Sequence, residues 1–199
     1  MLSNLRTWRL PALLVLATAL TGCSLPRMID SDVQSFAGAS APVSPADFRF
    51  ERLPSQQNSS VQDTVENLTQ EALERVGVMR NDASGRYLVM VGLGVDSIRN
   101  PHYRPPRSRF IRGADGRLYE DRPLTPDIEV PWYRHRVHLT LRDSTTSQVA
   151  YETTAVFDGP WRDTLNLLPP MLEAALKDYP MPVQRKVVVE LPAANKENP

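Results

Sequence analysis

The sequence predicts an α+β domain: a mainly antiparallel sheet in the order β-α-β-β-β-α-β with two helices on one face, after a signal peptide and a flexible tether. Three observations predict it. The chain has 199 residues, 41% of them hydrophobic and 23% charged, the profile of one ordinary globular domain. Several short runs alternate apolar and polar residues with the period of two that a half-buried strand requires. Two longer runs place their apolar residues at helical spacing, one early and one late.

Residues 1–22 precede the fold. Arg6 and Arg9 form a basic start, Leu13–Leu20 an apolar run of eight residues, and Leu20-Thr21-Gly22-Cys23 follows. Eight apolar residues cannot cross about 30 Å of hydrocarbon as a helix, so the segment reads as a cleaved export signal. The tetrad Leu20-Thr21-Gly22-Cys23 resembles the lipobox of bacterial lipoproteins. That resemblance implies cleavage between Gly22 and Cys23, a diacylglyceryl thioether on Cys23, and a further acyl chain such as palmitate on its new N-terminus. A thiol suits the step because it is the best side-chain nucleophile near neutral pH. Two or more chains at about 0.8 kcal/mol per buried CH₂ hold a protein to a bilayer, where one chain does so only marginally. Ser24, rather than Asp, follows the cysteine, which resembles the outer-membrane-destined type with its domain facing the periplasm.

Residues 23–46 carry the lipidated cysteine and a Ser-, Ala-, Pro- and Gly-rich stretch without sustained period, read as a flexible tether that does not pack. The domain is assigned to 47–192 and a loose tail to 193–199. Phe48–Leu53 alternates as a strand that Pro54 ends. Ser59 with Gln62 has the spacing of a capping box, and Val61, Val65, Leu68, Ala72 and Val76 share one face of the helix that follows, with Glu66 among its solvated acids. Gly77 closes that helix. Asn81–Gly85 makes a turn and Tyr87–Ile98, the most apolar stretch, reads as the central strand. Gly92 and Gly94 lack the third glycine of a dinucleotide loop, so a helix packed closely on their face, or a bulge, is the better explanation.

Residues 99–131 form a Pro- and Arg-rich insert with seven arginines between Arg99 and Arg122 and a net charge of +4 over that stretch. Connections of this length are uncommon unless functional or disordered. Within it Phe110–Tyr119 has the pattern of a small hairpin turning at Asp115-Gly116. Tyr133–Arg142 alternates as a strand wet on one side, Asp143–Ser147 turns it, and Gln148–Phe157 returns antiparallel. Asp163–Tyr179 supplies the second helix, with Leu165, Leu168, Leu172, Ala175, Leu176 and Tyr179 on one face and Pro169-Pro170 as a kink or its true start. Gln184–Leu191 is the last strand.

Catalytic patterns are missing from the sequence. There is no His-Glu-x-x-His, Gly-x-Ser-x-Gly or P-loop, and the one thiol is the lipidation site. His135 and His138, three apart on a strand, face opposite ways and cannot chelate one metal together. Glu120, Asp121, Asp127 and Glu129 are near in sequence, which does not pair them. The reading is a non-enzymatic protein without metal or cofactor.

Lys plus Arg equals Asp plus Glu at 23 each, and removal of residues 1–22 leaves 21 against 23, so no overall field selects a partner. Local features must. Arg104, Arg107, Arg109, Phe110, Arg112, Arg117 and Trp132 are the candidate contact residues, with Tyr103 and Tyr133 beside them. A guanidinium binds carboxylate or phosphate in bidentate fashion and stacks on rings. Candidate partners are an acidic envelope protein, lipopolysaccharide phosphates or peptidoglycan carboxylates; the compartment excludes nucleic acid. The competing reading is an envelope hydrolase or small-ligand carrier with a pocket between sheet and helices. The lipobox, the strand FRFERL with the helix SVQDTVENLTQEALERVGV, the strand YLVMVGLGVD and the ending WRDTLNLLPPMLEAALKDYP together resemble proteobacterial outer-membrane lipoproteins carrying a single domain of unknown function. The resemblance spans roughly residues 46–191, implies the fold and the anchor, and brings no catalytic residues with it.

Overall fold

Inward apolar side chains alternating with outward polar ones build most of the sheet. The computed structural model describes residues 27–41, 44–105, 107–121 and 128–191. In chain order these hold β1 (Met28–Ala37), β2 (Ala46–Phe50), α1 (Ser60–Arg75), β3 (Val78–Arg80), β4 (Tyr87–Ile98), β5 (Arg109–Arg112), β6 (Leu118–Asp121), β7 (Trp132–Asp143), β8 (Val149–Gly159), α2 (Thr164–Leu176) and β9 (Gln184–Glu190). Seven strands form one sheet in the order β3-β2-β4-β7-β8-β1-β9, and β5 pairs β6 separately. The sheet is mixed: β2 runs parallel to β3 and β4, and the remaining pairs are antiparallel. The class is α+β with a mainly antiparallel sheet and two helices. Gly22, Cys23 and the tail 193–199 lie outside the described residues.

The first correction concerns the tether. Residues 28–37 are a ten-residue strand held between β8 and β9, with Ile29, Ser31, Val33 and Ser35 buried. Two of the four inward residues are serines, so the apolar half of the period is broken and the segment reads as featureless polar chain. Ser35 fits its place because its hydroxyl accepts from the Val183 amide at 2.9 Å, closing the end of the sheet. A second strand absent from the expected order, β3, is three residues long, too short to carry a period. The strand expected at 48–53 is β2 at 46–50; a 3₁₀ turn at Pro54–Gln56 follows it.

β4 has the bounds its apolar run predicts, but the middle of the sheet belongs to β7. β7 and β8 pair over Tyr133–Arg142 with a bulge at Leu141/Arg142. Val137, Leu139 and Leu141 are fully buried, as are Leu168, Met171 and Leu172 of α2 and Leu73 of α1. The glycines of β4 are not crowded, contrary to expectation. A Cβ on Gly92 would meet nothing within 4 Å, one on Gly94 only the Arg136 Cβ at 3.9 Å, and the β4–β7 register runs unbroken past both.

α1 starts where its cap predicts: the Ser59 hydroxyl accepts from the Gln62 amide at 3.2 Å. It ends at Gly77, whose φ of +82° only glycine adopts without strain. Its buried face is Val65, Glu66, Thr69, Ala72 and Leu73, rotated from the predicted stripe so that Val61 is 56% exposed. Polar residues can lie on that face because each finds a partner. Thr69 donates to the Val65 carbonyl at 2.7 Å. Glu66, expected in solvent, accepts a two-pronged bond from Arg52 at 2.6 and 2.8 Å, and Arg52 also reaches Asp63 at 2.6 Å. The chain leaving β2 is thereby fastened to the helix. α2 begins at Thr164, capped by the Asp163 carboxylate on the Leu165 and Asn166 amides, so Pro169 and Pro170 lie inside the helix and do not start it.

Candidate functional site

Residues 99–131 leave the sheet from β4 and return into β7, and the structure divides them into a root and an arm. The root is held by Asn100, itself buried. Its amide N–H donates to Glu129 Oε1 at 2.7 Å, its Nδ2 donates to the Val130 carbonyl at 3.1 Å, and its Oδ1 accepts from the His102 amide at 2.8 Å. One side chain thus ties the outgoing strand to the returning one. Trp132 belongs here: it is half-buried and packs edge-on against His102 with ring centroids 5.3 Å apart. Trp132, read from sequence as a contact residue beside the arginines, is placed at this root with its ring against His102. Glu129 is likewise structural. Asn100 and His102 have no role in the sequence reading, where the Asn-Pro dipeptide is the available signal, and Glu129 enters it only as one of four neighbouring carboxylates.

The arm is the β5–β6 hairpin, in register Arg109↔Asp121, Phe110↔Glu120, Ile111↔Tyr119 and Arg112↔Leu118. Its loop is built as the glycines demand. The Gly113 amide donates to the Arg117 carbonyl at 2.8 Å and the Gly116 amide to the Gly113 carbonyl at 2.9 Å, with φ of +78° at Gly116. A Cβ on Gly113 would fall 2.7 Å from both Asp115 Oδ1 and the Tyr119 ring. Asp115 closes the loop by accepting from the Tyr119 hydroxyl at 2.7 Å and the Arg117 amide at 3.1 Å. Those two donors, the hydroxyl first, hold its carboxyl below the usual range, and the same bond raises the Tyr119 phenol.

Directly opposed residues share a face in an antiparallel pair, so one face of the arm carries Phe110, Arg112, Leu118 and Glu120 and the other Arg109, Ile111 and Tyr119. Both faces are open: Phe110 is 68% exposed and Leu118 65% on one, Ile111 53% and Tyr119 49% on the other. Arg104, Arg107, Arg109, Arg112 and Arg117 are all exposed. Elsewhere arginines are spent on acids of the domain, as Arg86 on Asp143, Arg134 on Asp158, Arg142 on Glu51 and Arg185 on Asp178. Among the described side chains Arg107, Arg109 and Arg112 make no ion pair, and Arg117 stands 4.0 Å from Asp115. The structure therefore brings Arg109, Phe110, Arg112 and Arg117 together on one hairpin, while Trp132 begins β7.

The other candidates resolve into packing. His135 is buried, with Nε2 2.7 Å from the Trp161 carbonyl and Nδ1 3.0 Å from the Thr164 hydroxyl, so the ring joins β7 to the start of α2. His138 points to the opposite face, between Thr140 and Thr154 at 3.0 Å each. No cluster of three His, Cys, Asp or Glu able to hold a metal occurs among the described residues. The layer between sheet and helices, where a pocket was the alternative expectation, is occupied by side chains with 0–5% exposure. Three concavities lined by described residues lie on the sheet's outward face or at its edge. No helix among the described residues is long and apolar enough to cross a membrane.

No family model and no curated protein matches the chain. Among solved structures it is similar to a PDZ domain protein from Parabacteroides distasonis, at 13% identity and a TM-score of 0.51; the match covers 89% of this chain and 42% of that one. It is also similar to the PelC dodecamer subunit from Paraburkholderia phytofirmans, at 12% identity and a TM-score of 0.42, over 73% of this chain and 94% of that one. At such identities the first likeness shows a shared fold alone, and the second is too weak to carry more.

Proposed function

We propose that this protein is a non-catalytic binding or assembly module of the cell envelope, lipid-anchored through Cys23 in the outer membrane with its domain in the periplasm, that holds an acidic partner protein on its arm. In this reading both helices cover one face of the sheet and the arm projects from the sheet end where β4 and β7 meet. The observation that carries it is the two-sided hairpin on which Phe110, Ile111, Leu118 and Tyr119 stand exposed beside Arg109 and Arg112, which make no ion pair among the described side chains. An isolated two-stranded hairpin is marginal in water, and exposed apolar side chains on both faces serve no packing role in the domain. Arginine and aromatic residues together are the composition of interface anchors. The apolar share favours an acidic protein surface over lipopolysaccharide phosphate or peptidoglycan, which the arginines alone would suit equally.

The test is in-cell crosslinking of the full-length protein beside an Arg107→Glu/Arg109→Glu/Arg112→Glu variant, followed by mass spectrometry. A protein captured by the wild type and lost with the variant supports the proposal. Capture of lipopolysaccharide or peptidoglycan fragments instead replaces the partner class, and identical recoveries from both samples refute the role of the arm.

A further inference from the structure

We infer that the outer half of β4, Val91–Ile98, is a strand-addition site that takes an extended segment of a partner protein, apolar on one face and acidic on the other. The inference begins from a ladder that stops. β2 pairs β4 only at Tyr87, Leu88 and Val89, after which the Glu51 amide donates to the Val89 carbonyl at 2.9 Å and the chain turns off through the 3₁₀ turn toward α1. β7 continues along the other side of β4 to Ile98. Backbone groups of successive strand residues point to alternate sides. Since the Val89 carbonyl faces β2, so do the N–H and C=O groups of Val91, Leu93, Val95 and Ser97. Among the described residues nothing pairs with this second side of β4.

Such an edge is a template for another strand, and proteins blunt edges they do not use. The outer edges of this sheet follow that rule. β3 is three residues long, and β9 carries Arg185 and Lys186. The free half of β4 has no Lys, no Pro and no bulge; its one charged residue is Asp96, and Gly92 and Gly94 leave the outward face before it flat. Val95 on the inward face is 46% exposed, next to the half-buried Leu93. An added strand would lay apolar side chains beside these two residues.

The outward face selects charge at Gly92 and Gly94, ahead of Asp96, which lies across from Arg134. Arg136 of β7 lies opposite Gly94, is exposed, and makes no ion pair among the described side chains. With no side chain on Gly94, an acidic residue of an added strand has a clear path to it. Beyond Gly92 the same face opens into a groove of about 340 Å³ lined by Leu53, Leu88, Met90, His138 and Thr140, room for one outward side chain of the guest. Main-chain bonds would supply affinity and the alternate side chains specificity. The site is separate from the arm and stands whether or not the arm binds.

The experiment uses the full-length protein in detergent and three eight-residue peptides alternating Val with Glu, Ser or Lys, with affinity read by fluorescence anisotropy and protection by amide hydrogen exchange. The Val-Glu peptide binds most tightly, about tenfold better than Val-Lys, and protects the amides of Val91, Leu93, Val95 and Ser97. Arg136→Glu reverses the order of Val-Glu and Val-Lys. Val95→Pro removes a donor that faces the free edge and no β7 bond, and should abolish binding while the melting temperature holds; Val95→Lys blocks the edge with the backbone intact and should do the same. Absence of protection at those four amides with every peptide overturns the site. A dimer in sedimentation that Val95→Pro dissolves overturns the occupant in favour of a second copy. Binding lost in the arm variant but kept in Val95→Pro overturns this site and leaves the arm proposal standing.

Discussion

Replacing Ile29 by alanine separates a packed strand from a tether. Ile29 is fully buried and Val33 2% exposed, both in the core, on a strand bonded to β8 on one side and β9 on the other. Ile→Ala deletes three carbons, at about 0.8 kcal/mol each for transfer alone. With the residual cavity the cost rises to about 2–5 kcal/mol, a large share of the roughly 5–15 kcal/mol that holds a domain together. For a domain of this size each kcal/mol lowers the midpoint by about 2–4 °C, so about 3 kcal/mol gives roughly 6–12 °C. Val33→Ala should cost about 2 kcal/mol by the same reckoning. Met28→Ala and Gln34→Ala, on the exposed face of the same strand, should stay within about 0.5 kcal/mol. Thermal unfolding of the full-length protein by circular dichroism reads all four. Because β1 is an interior strand, its amides should also exchange near the rate of global opening. An Ile29→Ala midpoint within about 1 °C of wild type, or fast exchange across residues 29–36, would refute the placement of β1.

Three further outcomes are expected. The Asp143 carboxyl, 1% exposed, is held below the usual carboxylate range by Arg86 first and then by the Thr145 and Thr146 amides. A depressed folded-state value stabilises above the unfolded value of about 3.9 and ceases to as pH falls through the folded one, so the melting-point gap between wild type and Arg86→Ala should be full at pH 7 and close below about pH 4. His135→Phe removes the ring's bonds to the Trp161 carbonyl and the Thr164 hydroxyl and should cost about 1–3 kcal/mol in urea unfolding, whereas His138→Phe on the outward face should cost little. Arg52→Ala leaves the nearly buried Glu66 carboxylate without its cation; adding Glu66→Gln should recover part of the lost urea midpoint, and a double variant no more stable than the single would contradict the buried pair.

Legibility followed how many neighbours a residue needed to satisfy it. β4, β7 and β8 were readable because each carries an unbroken period or a long apolar run, and the cap at Ser59 and the stop at Gly77 are local chemistry decided within four residues. The Asp-Gly hairpin was readable for the same reason. β1 was not: its inward Ser31 and Ser35 interrupt the apolar half of the alternation, and burying Ser35 becomes acceptable only through Val183, 148 residues away. Glu66 reads as solvated until Arg52 is placed against it. Trp132 was grouped with the arginines by proximity in sequence, and its contact with His102 beside Asn100 is visible only in the fold.

Sequence by itself determined the α+β class and the turn of the basic hairpin, since these depend on residue type and short spacing. Tertiary structure decided which strand is central, that residues 28–37 belong to the sheet, and which arginines make no ion pair among the described side chains. It also decided that β2 departs opposite Val89, after which no described residue pairs with that side of β4. The reason is physical: backbone pairing and burial of polar groups are settled by partners distant along the chain, and the period of a single segment carries no record of them.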